Sequence, residues 1–152
     1  MSYPLILKSL NPREAITDTL HRALIAFDEN NIPLFDSAFA GEDVSFVMNG
    51  NATNGLETIR SKLLSHVGPM DTTHMVSSIR IDLEDGSDTA SLTATAMNQH
   101  APPGRGGEPD GPKFLAGGRY WVDFVKVEGE WRIKKWTMNV VWSQGDPSVM
   151  SH

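Results

Sequence analysis

Apolar residues at helical spacing follow a capping signal near the start of the chain. The segment Asn11-Pro12-Arg13-Glu14 combines an N-cap residue, a proline suited to the first helical position and a glutamate that can reach back to the cap. Apolar side chains then recur on one helix face, at Ile16, Leu20, Leu24 and Phe27. This pattern predicts a first helix that ends at Asn30-Asn31.

Three shorter elements are predicted next. Pro33 can begin a second helix, over Leu34 to Phe39, and the β-formers of Val44 to Met48 predict a strand. Polar turn residues then lead into a third helix over Gly55 to His66.

The remainder of the chain has strand character. Strands are predicted over residues 74–83, 89–100, 114–127 and 131–142. The segment 101–112 holds four prolines and four glycines and predicts a loop. Because helices come first and a run of antiparallel strands follows, the order α-α-β-α-β-β-β-β predicts an α+β fold. Helices on one face of a curved sheet would leave a cavity between the two layers.

Composition and charge narrow the possible functions. A chain of 152 residues, 39% of them hydrophobic, suits one soluble domain over 1–152. A formal net charge of −6 argues against a nucleic-acid partner, and no stretch approaches the roughly 18 apolar residues of a membrane span. The lack of cysteine excludes disulfides and thiolate nucleophiles. The segment Met1 to Leu10 is too weakly apolar for a signal peptide. We therefore expect a cytoplasmic protein with no membrane partner.

One predicted strand alternates cleanly and carries a histidine. A single face holds Ala90, Leu92, Ala94, Ala96, Asn98 and His100. The alanines on this apolar face either leave room for a ligand or accommodate a bulky helix residue, and the sequence leaves both readings open.

Two further residues carry possible chemistry. Asp28 lies four residues after Leu24 and continues the buried stripe of the first helix, where a carboxylate costs free energy unless it is paired. The alternative is that Asp28 lies in solvent at a fraying helix end. His74 opens a strand, and a histidine there is either structural, exposed or catalytic.

These residue types are suited to proton transfer. Histidine titrates near neutral pH, and a carboxylate on its other ring nitrogen fixes the tautomer and stabilises the imidazolium. Together Asp28, His74 and His100, without a nucleophilic Ser or Cys among them, indicate dehydration, isomerisation or cyclisation. The same residue types bind metals, but no H-x-H or H-E-x-x-H spacing supports a metal site. We therefore expect neither a metal nor a cofactor.

The chain resembles the NTF2-like superfamily, and more closely its SnoaL-like branch, which includes scytalone dehydratase. The resemblance covers residues 10–148 and rests on segments read in order. They are AFDENNIPLFDSAFAGEDVSF, DTTHMVSSIRI, ATAMNQHAPP and YWVDFVKVEGEWRIKKWTMNVVWSQGD. The resemblance implies an NTF2-like cone, with helices packed on a strongly curved, mostly antiparallel sheet that encloses a pocket.

The resemblance also implies catalytic roles. Asp28, His74 and His100 match the Asp and two His that carry acid–base chemistry in the dehydratase. In this interpretation His100 is the general base, held by a hydrogen bond to Asp28, and His74 is the acid.

The chain departs from the dehydratase pattern at the residues that would contact substrate. Phe27 and Val47 stand where the dehydratase has two water-holding tyrosines, and Gly118 and Tyr120 stand where it has a Ser and an Asn. A more apolar pocket and a different substrate are therefore expected. The predicted substrate-binding residues are Phe27, Val47, Tyr120, Trp136 and Met138, although Trp136 and Met138 also fit the core.

These features predict a cofactor-free enzyme of secondary metabolism, a lyase or an isomerase or cyclase. Its partner would be a polyketide- or terpenoid-like small molecule. The alternative is a non-catalytic NTF2-like module for ligand binding or dimerisation. Large apolar residues over 114–142 predict a homo-oligomer, with a dimer favoured and a trimer as the alternative. The loop 101–112, with Arg105, is either a lid or a plain connection.

Overall fold

Three helical segments pack on one six-stranded sheet in the computed structural model, which describes residues 2–151. The helices are α1 (Pro12–Glu29), α2 (Ile32–Ala38) and α3 (Leu56–Ile59), the last continued by a π-helical segment (Arg60–Leu64) and a short helical turn (Ser65–Val67). The strands are β1 (Ser45–Met48), β2 (Asn51–Asn54), β3 (Asp71–Asp82), β4 (Thr89–Ala101), β5 (Phe114–Val127) and β6 (Glu130–Gly145). A 3-10 turn (Pro147–Met150) follows β6.

The first helix begins and ends where the sequence predicts. The Asn11 side chain accepts a hydrogen bond from the Glu14 amide at 2.9 Å, and the Glu14 carboxylate accepts one from the Asn11 amide at 3.0 Å. This reciprocal capping satisfies two donors that a helix start would leave unpaired. At the other end Asn30 adopts a left-handed conformation, with φ of 51°, and closes the helix.

The sheet has the order β2-β1-β6-β5-β4-β3, and only the β1–β6 pair is parallel. Its pairing register shifts once between β3 and β4 and twice between β5 and β6. Such bulges increase the local twist and bend a sheet. The fold is thus α+β and NTF2-like, as expected, with a sheet that curves but does not close.

One strand was not predicted from the sequence. Residues 51–54 have the composition of a turn, yet they form β2 and pair with β1 through the register Val47↔Ala52. The turn itself is confined to Asn49 and Gly50, whose φ values of 50° and 85° allow a tight hairpin. Pairing with a neighbouring strand here outweighs the low β-propensity of asparagine.

The core lies between α1 and the concave face of the sheet. Ile16 and Leu20 of α1 are fully buried, and the alternation predicted for β4 is confirmed, because Leu92, Asn98 and His100 are buried. No helix within residues 2–151 is long and apolar enough to cross a membrane.

Candidate active site

A mostly apolar cavity of about 360 Å³ lies between the helices and the sheet. Four of the five predicted substrate-binding residues line it, namely Phe27, Tyr120, Trp136 and Met138, and so do both predicted catalytic histidines, His74 and His100. Trp136 and Met138 line the cavity and also belong to the buried core.

Val47, the fifth predicted substrate-binding residue, is not among the residues that line this cavity. The neighbouring residues Phe46 and Met48 do line it. Successive side chains of a strand point to opposite faces, so a shift of one residue exchanges the inward and outward sets.

Asp28 lies in the last turn of α1, against the start of β3. Its Oδ1 atom is 2.6 Å from Nδ1 of His74 and 2.7 Å from the hydroxyl of Thr72, and its Oδ2 atom accepts the backbone amide of His74 at 3.0 Å. A carboxylate only accepts, so the His74 ring donates through Nδ1. Nε2 is then the ring nitrogen of His74 available to a ligand in the cavity.

The predicted hydrogen bond between Asp28 and His100 is wrong. Nδ1 of His100 instead lies 3.3 Å from the carbonyl oxygen of Phe114. Because a carbonyl accepts, the His100 ring donates from Nδ1, and its lone pair is on Nε2. The sequence could not show that α1 lies over β3, where the Arg13 guanidinium donates to the carbonyl oxygen of Ile81 at 2.7 Å.

The two histidines nevertheless meet in the cavity. Their ring centroids are 5.7 Å apart and the rings are nearly perpendicular, at 85°. Burial lowers the pKa of His100, and the neighbouring His74 lowers it further, against a smaller opposing effect of the bond to Phe114. His100 is therefore neutral at pH 7, as a general base must be.

A second set of polar atoms borders the same cavity. Asn98, which is 3% exposed, places Nδ2 3.4 Å from the hydroxyl of Tyr120. Burial raises the pKa of Tyr120 to about 12, so the phenol keeps its proton. Asn98 lies on the face of β4 that was predicted to point inward, and no role was predicted for it; the signal was a polar residue within an otherwise apolar alternation.

The proline- and glycine-rich loop is fastened to the body of the protein. Backbone amides of Gly104 and Gly106 donate to the carboxylate of Asp71, at 3.2 and 2.7 Å. No residue of 101–112 is among those that line the cavity, whereas Pro147 and Met150 of the 3-10 turn are. These contacts favour a connection rather than a lid.

The fold and the site together define a class of protein. It is an α+β protein with an NTF2-like curved sheet and a largely apolar pocket that holds an Asp–His pair and a second, neutral histidine. The chain belongs to the SnoaL-like domain family, whose model matches residues 8–137.

The chain is also similar to individual proteins, one in sequence and others in fold. The chain is 38% identical, over 155 aligned residues and 98% of both chains, to the terrestric acid biosynthesis cluster protein E of Penicillium crustosum. A candidate scytalone dehydratase from Novosphingobium aromaticivorans has the same fold, with a TM-score of 0.75, 20% identity and coverage of 88% of this chain and 87% of that one. An NTF2-like superfamily protein from Salmonella enterica serovar Typhimurium matches with a TM-score of 0.70 and 16% identity, over 84% and 89% of the two chains.

Proposed function

We propose that this protein is an enzyme of secondary metabolism that eliminates water from a small, largely apolar molecule by acid–base catalysis. The observation that carries the proposal is the convergence of His74 and His100 on one cavity, each with Nδ1 engaged by a different acceptor. Family membership and the relative named for a biosynthesis cluster support the same function.

His100 is the general base in this proposal. Its ring is neutral because it is buried, and its Nδ1 donates to the Phe114 carbonyl, which leaves the lone pair of Nε2 for a proton on the substrate. The role matches the one inferred from the sequence, although the group that orients the ring is the Phe114 carbonyl.

His74 is the general acid. When the ring is protonated, Asp28 accepts from Nδ1 and balances the charge, and Nε2–H is directed to the departing oxygen. A C–H proton passes to His100, a C=C bond forms, the C–O bond breaks, and the leaving hydroxyl takes the proton of His74 as water departs. His100 is then protonated and His74 neutral. Because the ring centroids are 5.7 Å apart, one bridging water can return the proton and reset the site.

The pocket suits a polyketide- or terpenoid-like skeleton. Its volume of about 360 Å³ and its apolar lining fit a small ring system that carries few polar groups. The same two proton transfers would serve an isomerisation or a cyclisation if no leaving group were present.

The predicted independence from metals and cofactors, and the predicted cytoplasmic location, stay predictions.

The rival function is a non-catalytic ligand-binding or dimerisation module. The two functions differ in what His100→Ala changes. In an enzyme this substitution removes turnover and leaves ligand binding largely intact; in a binding module there is no turnover to lose. The test is incubation of the purified protein with hydroxylated polyketide or terpenoid intermediates and mass-spectrometric detection of a loss of water. Absence of any product from the whole panel would favour the module.

We further propose that the outer face of the sheet packs against a second copy of the chain. Of the six large apolar residues on which this prediction was based, Phe124, Trp131 and Trp136 are buried and Phe114 is half-buried in the cavity wall, while Trp121 and Trp142 are 46% and 41% exposed. The register places Met75 opposite Met97, Met97 opposite Gly117 and Gly117 opposite Trp142.

This row, which we call the outer apolar row, is defined by Met75, Met97 and Trp142. The indole of Trp142 lies over Gly117, where a Cβ atom would come within 2.1 Å of the ring. Met75 and Met97 are 47% and 41% exposed, and the row crosses four neighbouring strands, β3 to β6, as one apolar surface. Contiguous patches of this kind mark association sites. A dimer is favoured and a trimer is the alternative.

A further inference from the structure

The Asp28 carboxylate is held by a second side chain besides that of His74. The hydroxyl of Thr72 donates to Oδ1 of Asp28 at 2.7 Å, and Nδ1 of His74 donates to the same oxygen at 2.6 Å. The backbone amide of His74 donates to the other oxygen, Oδ2, at 3.0 Å. Two of these three bonds do not involve the imidazole ring, so they can fix the carboxylate before the ring binds to it.

The spacing of Thr72 and His74 along β3 makes this arrangement possible. Residues two apart on a strand point to the same face and are separated by about 7 Å. The pairing with β4 agrees, because Thr72 lies opposite His100 and His74 lies opposite Asn98, and directly opposed residues share a face. Both side chains can therefore reach one carboxylate oxygen. Because threonine is β-branched, its χ1 angle is restricted and the strand backbone fixes where the hydroxyl points.

Without this hydroxyl the carboxylate would have another place to turn. The Asp28 side chain is 21% exposed, and Asp28 and Thr72 border a polar cleft beside the loop 101–112 that is distinct from the substrate cavity. Water that enters such a cleft competes for carboxylate oxygens. A carboxylate that turns toward the cleft no longer accepts from Nδ1 of His74, and the ring loses the contact that orients it.

We propose that Thr72 is a positioning residue of the candidate active site, whose hydroxyl fixes Asp28 so that His74 keeps a proton on Nδ1 and presents Nε2 to the cavity. The inference rests on the proposed function, since it concerns how the acid of that reaction is held. Thr72 is not among the residues that line the cavity, so it acts through Asp28. A free histidine side chain in water favours the proton on Nε2, and the fold has to impose the opposite tautomer. Loss of the Nε2 proton to the leaving group then yields the tautomer that Asp28 stabilises.

The proton on the His74 ring tests this role without a substrate. Long-range proton–nitrogen NMR at about pH 8, where histidine is ordinarily neutral, should show His74 protonated on Nδ1 in the wild-type protein. The His74 signals are assigned by their absence in His74→Asn. Thr72→Val replaces the hydroxyl by a methyl group, and its Nδ1 proton should exchange with solvent at least about tenfold faster, since a bond to a charged group is lost. Thr72→Ser keeps the hydroxyl and should restore slow exchange. The matched control is Thr73→Val, the same substitution at the exposed neighbouring residue, which should exchange at the wild-type rate.

Kinetics on an identified substrate give a second measurement. Thr72→Val should lower kcat about tenfold with little change in KM, because Asp28 balances a charge that is largest in the transition state. Thr72→Ser should recover most of the lost turnover. A hydroxyl that only tied α1 to β3 would lower the melting temperature of Thr72→Val and leave the exchange of the His74 proton unchanged.

Two results would overturn the role of Thr72. One is a wild-type His74 ring that is protonated on Nε2. The other is a folded Thr72→Val protein whose Nδ1 proton exchanges at the wild-type rate. Should Thr72→Val fail to fold, Thr72→Ala removes the same hydroxyl and is judged by the same measurement. Since the NMR experiment needs no turnover, its result stands even if no member of the substrate panel loses water, which would reject the proposed elimination alone.

Discussion

Oδ1 of Asp28 lies 2.6 Å from Nδ1 of His74, so the carboxylate at the end of α1 orients the histidine at the start of β3. The same carboxylate also accepts the Thr72 hydroxyl and the His74 amide, and these bonds hold it in one orientation. His100, on the neighbouring strand, is held separately by a backbone carbonyl. The site therefore contains two histidines in different electrostatic surroundings, which suits opposite roles in proton transfer.

Asp28→Asn should lower turnover on the order of 10²-fold, with a smaller effect on KM. The amide keeps the shape but cannot balance the charge on the His74 ring, and that charge matters most in the transition state. Steady-state kinetics on the identified substrate would measure both constants. The matched control, Asp85→Asn in the exposed β3–β4 turn, should behave as wild type. Equal turnover in Asp28→Asn and wild type would contradict the role of the pair.

His100→Ala should reduce turnover by about 10²–10⁴-fold, the usual contribution of a general acid–base group. The fold should survive, since the lost ring borders a cavity. His21→Ala, at an exposed position of α1, serves as the control. Product formation by His100→Ala at the wild-type rate would show that His100 is not the base.

The lowered pKa of His100 predicts a pH dependence of stability. Between the folded-state pKa and the unfolded value of about 6.5, the unfolded chain binds more protons at this position than the native protein does. The contribution of neutral His100 is therefore complete above about pH 6.5 and is lost as pH falls through the folded-state pKa. Denaturant unfolding from pH 8 to pH 5 should show a steeper loss of stability in wild type than in His100→Gln. Parallel curves would mean that the His100 pKa is the same in both states.

The outer apolar row predicts a concentration-dependent dimer. Met97→Glu places a charge at the centre of the row and should shift the protein to monomer in light scattering at micromolar concentration. Leu5→Glu changes an exposed apolar residue that lies outside the sheet and should leave the assembly unchanged. A wild-type protein that is only monomeric would contradict the interface, and a trimer would revise its symmetry.

Phe27 and Val47 should differ in what they contribute, because only Phe27 faces the cavity. The Phe27 ring packs against Phe35 and His74, with ring centroids 5.5 Å and 5.8 Å apart, respectively. Phe27→Ala should therefore cost about 3 kcal/mol of unfolding free energy. Val47→Ala should cost less and leave binding of an apolar probe such as naphthalene unchanged. Denaturant unfolding and calorimetric titration would measure the two effects, and similar losses in both variants would argue against the observed orientation of β1.

Much of the fold followed from the sequence, because local periodicity and capping act within a few residues. The cap at Asn11, the buried face of α1 and the alternation of β4 depend on side chains that are neighbours along the chain. The strand β2 was missed, since its four residues become a strand only by pairing with β1. The family resemblance added the cone-shaped architecture, which no local pattern specifies.

The sequence by itself determined which residues of α1 and β4 turn inward, and so which polar groups could share a pocket. Only the tertiary structure decided that Asp28 pairs with His74, because that choice depends on which strand the end of α1 crosses. It also decided that Phe46, and not Val47, faces the cavity, since a shift of one residue exchanges the two faces of a strand. The bond from the Thr72 hydroxyl to Asp28 belongs to the same category: periodicity places a side chain on a face, but only three-dimensional packing determines whether its polar atoms find partners.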